Sequence, residues 1–246
     1  MKTLSMFLYS IIAYLVGFAG LLFWILSVSQ LLPAISIDGA PRISLPLALL
    51  KNIGLVLLFG LQHSVMARKP FKQWLAKILP QPVERSTYVL ASGIFLSLLV
   101  WQWEPIGGTL WNVPAGSILF YFIYALFFTG WAILFIATFL INHFDLFGLR
   151  QTYFELVKKP YVPLDFKVRW FYKYVRHPIY FGGIVGIWAA TSMSVTHLCL
   201  AVLLTCYFII GSTLEEKDLI RDFGSKYTSY QKTTGKLIPF LKTNKK

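Results

Sequence analysis

Two short segments in the C-terminal third hold residue types that can bind a charged small molecule. One is Arg176-His177-Pro178-Ile179-Tyr180, and the other is Glu215-Glu216, which follows Arg176 by 39 residues. Pro178 suits the first turn of a helix, whose free amides and dipole attract an anion, and Arg176 adds a fork of donors. The glutamates attract a cation, and Tyr180 offers it an aromatic face. The pair of segments predicts a site for a ligand that carries a carboxylate, an ammonium group and a sulfonium.

The same segments also permit a purely structural interpretation. An Arg and a Tyr at a helix start are typical anchors at a membrane interface, and the Gly182–Gly186 spacing allows close approach of another helix or of a flat ligand. The glutamates then belong to a solvated helix with weak exposed contacts. If Glu215 and Glu216 end a helix, its dipole disfavours them unless the helix continues or a cation lies opposite.

The elements that must position these residues are membrane helices. A chain of 246 residues with 57% apolar and only 13% charged residues is not a soluble protein. We predict an all-α polytopic membrane bundle of six spans with a C-terminal cytoplasmic cofactor-binding segment. The last apolar run has 35 residues and is interrupted at 191–197, so we interpret it as a helical hairpin. A five-span alternative, in which this run does not fully cross, places the N-terminus outside. The apolar runs are Leu4–Leu32, Leu45–Met66, Tyr88–Trp103, Ser117–Ile141 and Ile179–Thr213.

The charge distribution orients these spans. The formal charge is +13, and 21 of the 23 Lys and Arg residues fall in segments that six spans place on one side. Basic residues accumulate in cytoplasmic loops, so we expect both termini in the cytoplasm and no nucleic-acid partner. The first apolar run is too long for a signal peptide, so we keep it as an uncleaved helix. Cys199 and Cys206 are seven residues apart, and we expect them to serve packing.

Three histidines, His63, His143 and His177, lie at the cytoplasmic ends of predicted spans, whereas His197 lies on the outer turn, where we expect it to be solvated. No HxxxH or HExxH pair is present, so we expect no metal site. One or two of these histidines are compatible with axial ligation of haem, which needs no dense motif.

The C-terminal third, over about 170–240, resembles the superfamily of isoprenylcysteine carboxyl methyltransferases and phospholipid methyltransferases. The resemblance rests on the two segments together with Leu219, Phe223-Gly224, Tyr227, Tyr230 and Ile238-Pro239. It implies that the hairpin and tail enclose S-adenosylmethionine at the cytoplasmic face. The cofactor-side residues that it implies are Arg176, His177, Tyr180, Gly182, Glu215, Glu216 and Tyr227.

The N-terminal part, over about 1–150, is similar to the membrane methanethiol S-methyltransferase group and to NnrU-like proteins. This similarity rests on 61–69, 84–88 and 142–151. It implies a single domain, 1–246, in a bacterial inner membrane, with no obligate protein partner, that transfers a methyl group from S-adenosylmethionine to methanethiol and yields dimethyl sulfide. A thiol acceptor needs a group that takes its proton, for which we name His63, His143 and Tyr88. Weaker substrate-side candidates are Arg68, Glu84, Arg85 and Arg150.

Three alternatives stay open at the level of sequence. In the first, the acceptor of the methyl group is a larger prenylcysteine or a phospholipid. In the second, the chain is a haem-binding NnrU-like isomerase or accessory protein. In the third, it is a structural membrane protein whose basic loops contact anionic lipid. The joint occurrence of the RHPxY segment and the glutamate pair favours the methyltransferase.

Overall fold

The structure, a computed structural model, describes residues 2–241. Met1 and residues 242–246, which include three lysines of the C-terminal basic segment, lie outside the described residues. The described chain is mostly helical, and its packing divides it into two compact units.

The first unit comprises, of the described residues, 2–109, 142–163 and 194–197. Its helices are α1 (Lys2–Val28), α2 (Leu45–Met66), α3 (Lys69–Leu75), α4 (Glu84–Trp101), α6 (His143–Leu146) and α7 (Leu149–Leu156). The main contacts join α1 to α4, α2 to α4 and α1 to α7. Gly93 of α4 faces Gly17 of α1 so closely that a Cβ at Gly93 would lie 2.6 Å from the Gly17 Cα. Such contact between small residues is the usual way to pack membrane helices.

The second unit comprises, of the described residues, 110–141, 164–193 and 198–241. The elements that lie mainly in it are β1 (Thr109–Asn112), α5 (Ile118–Ile141), α8 (Pro178–Trp188), β2 (Ser192–Ser194), α9 (Val195–Phe223) and α10 (Ser225–Thr233). The main contact joins α5 to α8, where Gly130 meets Gly182 and Gly186. The strands β1 and β2 pair with each other, and the Val113 amide donates to the Thr191 carbonyl at 2.9 Å.

Five helices within residues 2–241 are long and apolar enough to cross a membrane: α1, α2, α4, α5 and α9. The prediction of a polytopic helical membrane protein is thus confirmed, with four span positions matching within a few residues. Within residues 2–241 the membrane-length helices number five, the alternative to six, because α8 has 11 residues and rises only about 16 Å, short of a hydrocarbon core of about 30 Å. A short strand, Ser192–Ser194, follows α8 instead of a further helical turn.

His197 also differs from expectation, because it is buried and only 1% exposed. It follows Thr196, whose hydroxyl accepts the amides of Ile106 and Gly107 at 2.9 and 3.2 Å. The loop after α4 therefore covers the start of α9 and keeps water away from His197. Cys206 is exposed and Cys199 is half-buried. The expected packing role therefore does not fit Cys206.

Both basic residues that fell outside the basic segments have the same partner. Arg42 Nε and Lys51 Nζ bind the two oxygens of Glu104 at 3.0 and 2.9 Å, and Glu104 is only 3% exposed. The hydrogen bond from Lys51 holds the pKa of Glu104 below its usual range. Asn52 completes the arrangement by bonding the Glu104 backbone N–H and C=O, each at 2.9 Å. Arg42 and Lys51 therefore share one carboxylate within this unit.

Candidate functional site

The two motif segments meet in the second unit, around the carboxylate of Glu216. Its Oε1 accepts from Arg176 Nε at 2.6 Å, from His177 Nε2 at 3.2 Å and from the Tyr227 hydroxyl at 3.3 Å. Its Oε2 accepts from Gln231 Nε2 at 3.0 Å. The helix dipole does not disfavour these acids, because α9 continues past them to Phe223 and cations lie opposite Glu216. A solvated acidic helix does not describe Glu216, which is only 9% exposed.

Arg176 uses its guanidinium inside the protein. Besides Glu216, it donates through Nη1 to the carbonyls of Gln231 and Thr234, at the end of α10. The Arg176 amide also donates to the Gly235 carbonyl at 2.8 Å. Its side chain is 4% exposed, and its contacts join α9 to the tail after α10. The predicted contact of Arg176 with a ligand stays a prediction.

His177 lies between the two glutamates. Its Nδ1 is 3.5 Å from Glu215 Oε2, and its Nε2 is 3.2 Å from Glu216 Oε1. Burial by itself lowers the pKa of His177, but the two facing carboxylates, Glu215 first, outweigh burial and raise the pKa above its ordinary value. The ring is therefore an imidazolium over a wider pH range than an exposed histidine.

The raised pKa of His177 predicts that stability declines with alkalinity. A histidine whose folded pKa exceeds the unfolded value of about 6.5 contributes its full stability below about pH 6.5, and the contribution is lost as pH rises through the folded pKa. We expect the melting temperature in detergent to fall over that window, and the fall to be smaller in His177→Gln. Parallel melting profiles for the two proteins would contradict this assignment of the charge.

Of the two aromatic candidates, Tyr180 is half-buried and Tyr227 is buried. Tyr180 stacks between His177 and Phe208, with ring centroids 5.4 Å apart on both sides. Tyr227 is 1% exposed, and burial together with Glu216 raises the pKa of its hydroxyl, which therefore stays a hydrogen-bond donor. Gly182 faces Gly130 of α5, so its place in the structure is helix packing. Among the acids, Glu215 is the accessible one, with a side chain 47% exposed.

The first unit contains a second polar cluster, between α2 and α4. The Tyr88 hydroxyl lies 2.6 Å from His63 Nε2, and His63 Nδ1 lies 3.0 Å from Ser92 Oγ. Two of the three candidates for the thiol proton thus form one hydrogen-bonded pair. The third, His143, bonds through Nε2 to the Tyr14 hydroxyl at 3.0 Å. Burial lowers the pKa of His143, which keeps its ring neutral.

The weaker substrate-side candidates also have partners in the first unit. Arg85 donates to the Leu146 carbonyl at 2.7 Å and lies 4.8 Å from the centroid of the Tyr88 ring. Glu84 pairs with Lys72 at 3.4 Å, Arg150 with Asp145 at 2.8 Å, and Arg68 donates to the Ser64 carbonyl at 3.2 Å. Arg85 thus contacts a candidate catalytic side chain.

Three residues of these clusters were missed by sequence reasoning: Gln231, Ser92 and Tyr14. Gln231 follows Tyr230 of the recognised pattern, and Ser92 lies one helical turn after Tyr88, so spacing gave a signal for both. Tyr14 lies in an apolar run 129 residues before His143, and no local pattern connects them.

Fold and site together define an integral membrane protein that carries a buried acid–base cluster at the start of a short helix. The chain belongs to the methanethiol S-methyltransferase family, and it is therefore a methyltransferase. It is 49% identical to methanethiol S-methyltransferase of Crocosphaera subtropica over 93% of this chain and 86% of the relative. The enzyme of Pseudomonas deceptionensis is 47% identical over 85% of this chain and 79% of its own. Methanethiol S-methyltransferase 1 of Bradyrhizobium diazoefficiens is 44% identical over 96% and 83%.

No family model matches the chain. No solved structure matches it. The family assignment therefore rests on the curated relatives.

Proposed function

We propose that the protein transfers a methyl group from S-adenosylmethionine to the sulfur of methanethiol, which gives dimethyl sulfide and S-adenosylhomocysteine. The observation that carries this proposal is the relative named methanethiol S-methyltransferase, 49% identical over 93% of this chain. The acceptor is a small thiol, so the reaction needs no wide opening for a prenyl or acyl chain.

The chemistry of the second unit fits this methyl donor. Glu215 is half-exposed and suits an ammonium group, while Tyr180 stacks beside it on His177 and suits a cation or an aromatic base. The start of α8, opened by Pro178, favours a carboxylate through its dipole. The buried cluster next to these groups holds them in place, and it consists of Glu216, Arg176, Gln231 and Tyr227. When bound, S-adenosylmethionine supplies a methyl carbon on a positively charged sulfur, which is a good leaving group.

The protein's own task is then alignment and proton removal. An in-line displacement needs the acceptor sulfur directed at the methyl carbon, and the thiolate is a far better nucleophile than the thiol. The groups proposed to handle that proton are His63, Tyr88 and His143. Arg68, Glu84, Arg85 and Arg150 remain proposed substrate-side residues.

We also propose that both termini lie in the cytoplasm of a bacterial inner membrane. The cited relatives are bacterial, and the basic residues accumulate in the same segments. Four crossings by α1, α2, α4 and α5 return the chain to its starting side. The hairpin of α8 and α9 also returns there, because Glu216 contacts His177. The chain therefore crosses the membrane an even number of times, although only five of the helices within residues 2–241 are of membrane length. An even number of crossings differs from the five-span alternative, which places the N-terminus outside. The whole chain then acts as one functional domain.

The central test is the reaction itself. We expect protein purified in detergent to bind S-adenosylmethionine and to release dimethyl sulfide into the headspace when methanethiol is added. Prenylcysteine and phospholipid acceptors are offered in parallel, and the absorption spectrum is recorded for a Soret band.

Methylation of the larger acceptors without dimethyl sulfide would contradict the proposed substrate. A Soret band without binding of S-adenosylmethionine would instead support the haem alternative.

A further inference from the structure

We propose that Tyr88 and His63 form a directional proton relay, in which Tyr88 accepts the proton of the acceptor thiol while passing its own hydroxyl proton to His63. Ser92 is the positioning residue that orients His63. This inference rests on the proposed function and deepens it, because it separates one tyrosine–histidine pair from the other candidates.

The direction of the relay follows from the donors in the cluster. The Ser92 hydroxyl donates to the Tyr88 carbonyl, four residues earlier on α4, at 2.8 Å. Its single proton is therefore used, and Ser92 Oγ must accept from His63 Nδ1, 3.0 Å away. In a neutral imidazole, a proton on Nδ1 leaves Nε2 as the acceptor. The Tyr88 hydroxyl consequently donates to Nε2 across the 2.6 Å contact.

The surroundings of Tyr88 favour its role as the transferring group. The Arg85 guanidinium lies 4.8 Å from the centroid of the Tyr88 ring and is held there by its bond to the Leu146 carbonyl. A cation at this position stabilises negative charge that develops on the phenol while the two protons move. The Phe59 ring lies 5.4 Å from that of His63 and contributes an apolar wall.

The step is balanced in atoms and charge. The thiol S–H bond breaks as its proton joins the Tyr88 oxygen, and the Tyr88 O–H bond breaks as that proton joins His63 Nε2. The sulfur lone pair forms the new S–CH₃ bond, and the electrons of the broken C–S bond stay on the departing thioether. The positive charge of the donor is lost and one proton is gained by His63, which later releases it to water.

The other tyrosine–histidine pair has a longer contact. The Tyr14 hydroxyl lies 3.0 Å from His143 Nε2, against 2.6 Å for Tyr88 and His63. The Arg85 guanidinium and the Ser92 hydroxyl both lie on α4, as Tyr88 does. The short contact and the nearby cation favour Tyr88 as the group that accepts the thiol proton.

Tyr88→Phe tests the relay by its pH profile. It keeps the ring and the contact with Arg85, and we expect kcat for methanethiol at pH 7 to fall about 100-fold or more. The loss should shrink by about tenfold per pH unit toward alkaline pH, because solvent then supplies the thiolate. Binding of S-adenosylmethionine is measured in the same samples and should change by less than about twofold. Tyr9→Phe is the matched control, because it removes a tyrosine contact to the neighbouring Thr87 hydroxyl at 2.9 Å.

Several outcomes would overturn the relay. One is a Tyr88→Phe protein with wild-type kcat at pH 7. Another is a loss of activity with an unchanged pH profile. A third is the alkaline rescue appearing in Tyr14→Phe. If the wild-type protein makes no dimethyl sulfide, the proposed function is contradicted instead. The NMR measurement below does not depend on that function.

The tautomer of His63 is tested without turnover. In protein with ¹⁵N-labelled histidine, NMR should show His63 protonated at Nδ1, with its signals assigned by their loss in His63→Gln. Ser92→Ala should shift His63 toward the other tautomer and lower kcat with the same alkaline rescue, and Ser92→Thr, which keeps the hydroxyl, should restore both. A wild-type His63 protonated at Nε2 would overturn the relay whatever the acceptor is.

Discussion

Glu216→Ala is expected to lose both the folded tail and the binding of S-adenosylmethionine. The variant removes the acceptor of four donors and leaves the Arg176 guanidinium, whose side chain is 4% exposed, without its carboxylate. Breaking a buried ion pair from one side costs about 3–5 kcal/mol. We expect a matching loss of stability in denaturant or thermal unfolding in detergent, and cofactor binding too weak to measure by calorimetry.

Glu215→Gln is the matched comparison, because it alters the adjacent carboxylate. Glu215 is half-exposed, so the change should alter stability by less than about 1 kcal/mol. Binding of S-adenosylmethionine should nevertheless weaken about tenfold or more, since the variant removes the charge proposed to face the ammonium group. Equal stability losses in the two variants would contradict the distinction between a supporting and a ligand-facing acid.

Gly130→Ala is expected to separate α5 from α8. A Cβ at this position would lie 2.4 Å from the Gly186 N and 2.7 Å from the Gly182 O, both of them backbone atoms that no side-chain rotation can move. Such overpacking costs about 1–3 kcal/mol and sometimes more. Because α8 begins beside His177, we expect weaker binding of S-adenosylmethionine as well as a lower melting temperature.

Gly54→Ala is the control for the effect of removing a helical glycine. No atom lies within 4 Å of its added Cβ, so the change should raise stability by about 0.5–1 kcal/mol through helix propensity. A Gly130→Ala protein as stable as Gly54→Ala would show that the close contact of α5 and α8 contributes nothing.

The pair of His63 and Tyr88 shows how much of a site can be predicted from residue spacing. His63 and Tyr88 were named from sequence because each lies at the inner end of a predicted span. Their direct bond and the orienting role of Ser92 depend on how α2 rotates against α4, which no periodicity specifies. Arg176 shows what residue type leaves out: the tail carbonyls that accept from its Nη1 become visible only in the folded chain.

Apolar runs of sufficient length must become helices in a bilayer, because their backbone groups have no other partners there. The membrane class and four of the spans were therefore predictable from the sequence, and so was the meeting of the RHPxY segment with the glutamate pair. Helix packing was needed to show which acid is buried, which histidines pair with which tyrosines, and that α8 ends after 11 residues. Those outcomes depend on side chains brought together from distant parts of the chain, whose contact energies appear only once the helices have packed.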